Sequence, residues 1–238
     1  MADNKNRRAI GAIIVLIGAI VLIAAAFVPW YTQEIKGSVL TYTITINENA
    51  FPGLPGSNGT IQYSCSGLPP ILSCPTQTSY STLKLTNTGN IAEAGYFMMI
   101  IGFILGLLGA IVGLMSRGKA SRSGTAIALS IIAALLAVAA VGFFAALLPG
   151  AIGQDTPNHA GTGPWSSFSG STTANLYGIT GASWTWGPAV GWYLGIVAFV
   201  ILLIGAILIL VFRKDSLPAP APAPSATGTA ATPPPASP

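Results

Sequence analysis

Four uninterrupted apolar runs divide the chain: Ala9–Val28, Ala94–Met115, Thr125–Leu148 and Ala189–Phe212. None contains Asp, Glu, Lys, Arg or His. At about 1.5 Å rise per residue, twenty such residues cover roughly 30 Å, the hydrocarbon thickness of a bilayer. The apolar residues fill these blocks instead of recurring at core-helix spacing. The pattern therefore predicts four membrane-spanning helices rather than a soluble bundle.

Between the first two runs the period changes. Over Val39–Ile46, Leu40, Tyr42, Ile44 and Ile46 alternate with Val39 and three threonines. Period two in β-branched and aromatic residues predicts a strand with one covered face. Thr60–Cys65 and Ser79–Thr86 read as further short strands, with Gly- and Pro-rich loop at Asn47–Gly59. A small antiparallel sheet follows, which needs at least three strands or support from the helices beneath it. The segment 149–188 between the third and fourth runs is mostly Gly, Ser, Thr, Ala and Asn. It reads as a long loop with at most one short strand, Ala174–Ile179. Its Trp165, Trp184 and Trp186 are expected either to contact lipid headgroups, another ectodomain or carbohydrate, or to fold onto the first segment. Beyond Phe212 the chain turns to Pro and Ala, beginning P-A-P-A-P at Pro218, and 213–238 reads as a polyproline-like tail without a core.

Composition supports the membrane reading: 52% of residues are hydrophobic and only 7% charged, against about a quarter charged in soluble domains. The net charge of +4 divides by location. Lys5, Arg7, Arg8, Arg117, Lys119, Arg122, Arg213 and Lys214, against Asp3 and Asp215, give one side of four spans +6. Lys36 and Lys84, against Glu34, Glu48, Glu93 and Asp155, give the other −2. The positive-inside rule then places 1–8, the link 116–124 and the tail in the cytoplasm, and 29–93 and 149–188 outside a plasma membrane. Short helix flanks account for every basic cluster, so no nucleic-acid partner is implied. All five tryptophans lie on the outer side, and Trp30–Tyr31, Tyr96–Phe97 and Trp192–Tyr193 stand where an interfacial belt would hold them. The first run, with basic residues before it and Ala24–Ala26 near its end, is read as a retained helix; a cleaved signal peptide is the alternative.

The two cysteines, Cys65 and Cys74, both fall in the first outer segment, with Gly67, Pro69 and Pro70 bending the chain between them. Outside a cell they are expected to pair as a disulfide rather than bind metal, there being no nearby His. Asn58-Gly59-Thr60 is a glycosylation acceptor wherever the host has that machinery. Gly102, Gly106, Gly109 and Gly113 in the second run, and Gly191 and Gly195 in the fourth, form four-residue small-residue ridges. They either pack the bundle internally or pair with another copy.

Catalytic constellations are missing. The runs hold no ionisable group of the sort kept at membrane depth for ion or proton transport. The chain has one histidine and six acids, with no phosphate loop, HExxH or Ser/His/Asp set. No enzyme activity, cofactor or metal is expected.

This layout resembles the claudin-like tetraspan superfamily. Pro29-Trp30 ends the first helix, the larger outer segment is strand-rich and holds the cysteine pair, and a second outer loop, inside termini and a short inner link follow. The resemblance implies that Trp30 stands at the foot of the extracellular sheet and that Cys65 and Cys74 join adjacent strands. The family's Gly-Leu-Trp motif before its first cysteine has no counterpart, since Gly67-Leu68 follows Cys65. The expected fold is a membrane all-α four-helix bundle with a small extracellular antiparallel β-sheet. The expected role is non-catalytic: lateral assembly with itself in the bilayer and extracellular contact, in adhesion, barrier formation or membrane organisation. The alternative is an accessory subunit bound to another membrane protein, in a channel, transporter or secretion complex.

Overall fold

The computed structural model describes residues 2–37, 43–49, 60–67, 77–116, 120–157, 161–176 and 179–213. Four helices carry the mass: α1 (Ala2–Ala26), α2 (Thr86–Met115), α3 (Ala120–Asp155) and α4 (Val190–Val211). Each is long and apolar enough to cross a membrane. They form a ring in chain order, each packing chiefly on the helix before it and the one after, with α4 closing back onto α1. Residues such as Ile13, Ile17, Ile104, Leu135 and Ile204 lie exposed around the ring. In water such a belt would be unstable; in a bilayer it is the solvent-facing surface.

Six strands stand at one end: β1 (Tyr31–Lys36), β2 (Thr43–Asn49), β3 (Thr60–Ser66), β4 (Gln77–Ser79), β5 (Gly170–Leu176) and β6 (Ile179–Pro188). They make one sheet in the order β4-β3-β2-β1-β6-β5, and every neighbouring pair is antiparallel. The segment after α1 supplies four strands, and the segment after α3 supplies the other two.

Three expectations change. The segment 149–188 is not a loop with one short strand. It forms a hairpin whose longer strand pairs with β1, Ile35 facing Trp184 and Lys36 facing Ser183. The strand expected over Ser79–Thr86 is instead the last residue of β4, a turn, and the start of α2. Ser79 Oγ accepts the Thr82 N–H at 3.2 Å, and Lys84 sits at φ 58°, so the chain bends back before it can extend. Finally, α2 and α3 outrun their apolar cores at the sheet end. α2 begins at Thr86 rather than near Ala94, and α3 continues through Pro149 to Asp155. A proline inside a helix removes one N–H partner, which membrane helices tolerate where neighbouring groups compensate.

Candidate functional site

The chain leaves α1 through Pro29 and Trp30 and enters β1 directly, and it leaves β6 through Pro188 and Ala189 to enter α4. These crossings are bonded side by side. Ala189 N–H donates to the Trp30 carbonyl at 2.9 Å and Gly191 N–H to the Pro29 carbonyl at 2.7 Å. The β1–β6 ladder thus continues down to the first turn of α4, and sheet and bundle share a backbone seam.

Trp30 plugs that seam. It is fully buried, its Nε1 donates to the Ala25 carbonyl at 2.7 Å, and its ring meets Phe144 of α3 edge-on at 5.2 Å. A Cβ at Gly191 would lie 2.6 Å from its Cδ1, so α4 can pass only because position 191 has no side chain. Gly95 of α2 faces the far side of the same ring. One residue therefore touches the other three helices. Trp30 and Tyr31 are buried rather than placed in an interfacial belt, whereas Tyr193 is exposed.

Phe168, just ahead of β5, completes the junction. Its ring lies 5.6 Å from Tyr31, 6.2 Å from Phe144 and 5.6 Å from Trp192. Trp192 Nε1 in turn donates to the Val141 carbonyl at 3.1 Å. Trp184 and Trp186 are buried on β6, and Trp165 is half-buried against Trp184, with ring centroids 5.5 Å apart.

Two helix ends have remote partners. Asp155, at the end of α3, receives the Asn87 N–H (3.0 Å) and side-chain amide (2.9 Å) on one oxygen and the Thr88 N–H (2.7 Å) on the other. α2 has no side-chain cap of its own, so a carboxylate from the adjacent helix neutralises its free N–H groups and its positive dipole end. At the opposite end Arg8, only 5% exposed, donates Nε to the Phe212 carbonyl at 2.8 Å, where a cation suits the C-terminus of α4.

The glycines named from sequence all face other parts of the same chain. Gly102, Gly106 and Gly113 lie against Leu22, Ala19 and Ala12 of α1, and Gly109 against Ser130 of α3. Gly195 faces Val141 and Met99, and Gly191 faces Trp30. The tighter seam is one the four-residue spacing does not show. Between α1 and α4, a Cβ at Gly205 would lie 2.8 Å from the Val15 nitrogen, and one at Gly18 would lie 3.0 Å from the Leu202 nitrogen. Gly11 and Gly18 recur at seven residues, the repeat of a helix–helix seam.

Cys65 is half-buried on β3, opposite Ile44 of β2. Cys74 and Asn58 lie outside the described residues. Among the described residues no group of three or more His, Cys, Asp or Glu is placed to hold a metal ion.

The two sheet edges differ. β4 is three residues long, which leaves little backbone to recruit another strand. β5 spans seven, G-S-T-T-A-N-L, with no charge and no proline, and among the described residues pairs on one side only. Short strands, charges, prolines and bulges are the usual guards of an edge; β5 has no charge or proline, and its pairing is regular from Gly170 to Ala174 before a register shift between Ala174 and Leu176.

The site thus comprises an anchored sheet with β5 as an edge unpaired among the described residues, carried on four helices able to span a bilayer. No protein-family model matches the chain, nor does any curated protein sequence. The architecture is that of a multi-pass membrane protein with a tetraspan layout.

Proposed function

We propose that the protein is a non-catalytic, claudin-like tetraspan that assembles laterally in the plasma membrane and makes contacts through its sheet. The observation that carries this reading is the β5 edge, uncharged, free of proline and regularly paired from Gly170 to Ala174. No other described strand pairs with its outer side, and an antiparallel, self-complementary pairing of two β5 strands would join two copies about a two-fold axis. The charge asymmetry of the flanks supports termini in the cytoplasm and the sheet outside. In that orientation Cys65 and Cys74 meet oxidising conditions and staple the β3 region, and Asn58 is open to glycosylation.

The test is the mass of the tagged full-length protein extracted from its membrane in mild detergent. The native chain is expected to run as a dimer or larger assembly. A Ser171→Lys, Thr173→Lys variant, which puts charge on the open edge, is expected to run as a monomer, while Gln77→Lys on β4 changes nothing. One stoichiometric heterologous partner, released by the β5 variant, would replace self-assembly with the accessory-subunit role. A native chain that runs alone would remove both.

A further inference from the structure

Where the sheet overhangs the ends of α2 and α3, packing stops short and leaves a cavity of about 360 Å³, within the roughly 300–1,000 Å³ of small-molecule sites. Ile61 comes from β3, Leu85 and Thr88 from the start of α2, Ile152 from the end of α3, and Trp165 and Trp184 from the hairpin segment. No Asp, Glu, Lys, Arg or His is among its described lining residues. A charged ligand would find only the neutral polar groups of Gln33, Tyr63, Thr88 and Thr156 there in place of its hydration, and no counter-charge. An uncharged, mainly apolar one needs neither.

Trp184 adds a second observation. The other four indole N–H groups each donate to a backbone carbonyl: Trp30 to Ala25, Trp165 to Gly161, Trp186 to Ser167 and Trp192 to Val141. Trp184, 7% exposed and lining the cavity, has no partner for its Nε1 and no access to solvent. Buried indole N–H groups are normally satisfied. An indole can only donate, so a small turn of this ring into the cavity would offer its N–H to an acceptor oxygen.

We propose that this cavity binds a neutral lipid, with its apolar body between Ile152 and the Trp165–Trp184 pair and a hydroxyl or carbonyl oxygen taking the Trp184 N–H. The membrane is the source, because the cavity sits where α2 and α3 emerge from their apolar spans. The inference rests on the helices lying in a bilayer, and not on lateral assembly.

The probe is a long-chain alcohol carrying a diazirine, added to the full-length protein in phosphatidylcholine nanodiscs, irradiated, and mapped by mass spectrometry. Saturable labelling is expected on the peptides bearing Ile152, Trp165 and Trp184, and is competed away by unlabelled alcohol. The same chain ending in a quaternary ammonium is expected to label those peptides weakly. Trp184→Phe keeps a ring and removes the donor, and is expected to weaken the alcohol's half-saturation there by roughly tenfold, the worth of one hydrogen bond. Leu83→Trp, at the cavity wall, is expected to block labelling while the lipid-facing helix peptides label as before. Labelling confined to those helix peptides, or equal half-saturation for native protein and Trp184→Phe, would overturn the proposal.

Discussion

The α1–α4 seam and the junction beneath the sheet solve opposite packing problems. In the seam, Gly11, Gly18 and Gly205 let two backbones touch, and no side chain separates Gly205 from the Val15 nitrogen. At the junction, rings fill the gap between layers that cannot interdigitate: Trp30, Tyr31, Phe144, Phe168 and Trp192. The junction leaves about 360 Å³ beside it. Inside a membrane, close approach substitutes for the hydrophobic drive that lipid does not supply. Above it, aromatic area and fixed hydrogen bonds hold the sheet, and space for a ligand is left where helices give way to strands.

The junction is expected to be the more vulnerable to truncation. Trp30→Ala removes the ring that touches all three other helices and frees the Ala25 carbonyl, a loss of about 3–5 kcal/mol for a buried Trp. Thermal unfolding in detergent is expected to drop steeply, with protease cutting the sheet region first. An unchanged melting profile would mean that the sheet is held elsewhere.

The seam is expected to be vulnerable to enlargement instead. Gly205→Val drives methyl groups into the Val15 and Gly11 backbone, and overpacking of this kind costs about 1–3 kcal/mol. Gly142→Val, where nothing lies within 4 Å, is the matched control and is expected to leave the melting temperature within error. Equal effects of the two variants would show that α1 and α4 are not in backbone contact.

Asp155→Ala is expected to give the smallest change, about 1–2 kcal/mol, as for a lost helix cap. Amide exchange would locate it in the first turn of α2, around Asn87 and Thr88, leaving the seam untouched.

Much of the bundle is legible in the sequence because a bilayer imposes length and apolarity on each span, and four runs show both. The sheet is legible only where strands alternate strongly. β3 lies where Thr60–Cys65 places it, and β2 covers the described end of Val39–Ile46 and runs on to Asn49, while 39–42 lie outside the described residues. β6 is hidden by its small-residue surroundings, although Ala182, Trp184 and Trp186 are buried in alternation with Ser183 and Thr185. Two tryptophans at period two are a strand signal, and the low apolar content of 149–188 masks it. β1 has only Tyr31 and Ile35 to mark its covered face. Asp155 could not be found from sequence, because the donors it satisfies lie 67 and 68 residues away. The glycine ridges show where backbones approach, but not which neighbour they meet.

Hydrogen–deuterium exchange of the full-length protein in nanodiscs most directly tests whether both segments build a single sheet on the bundle. The amides of β6 from Ser183 to Gly187 are predicted to be protected to the same degree as those of β1, and to lose protection together with them as denaturant is added. Exchange of 179–188 within seconds, while β1 and β2 stay protected, would contradict the account and return that segment to a loop.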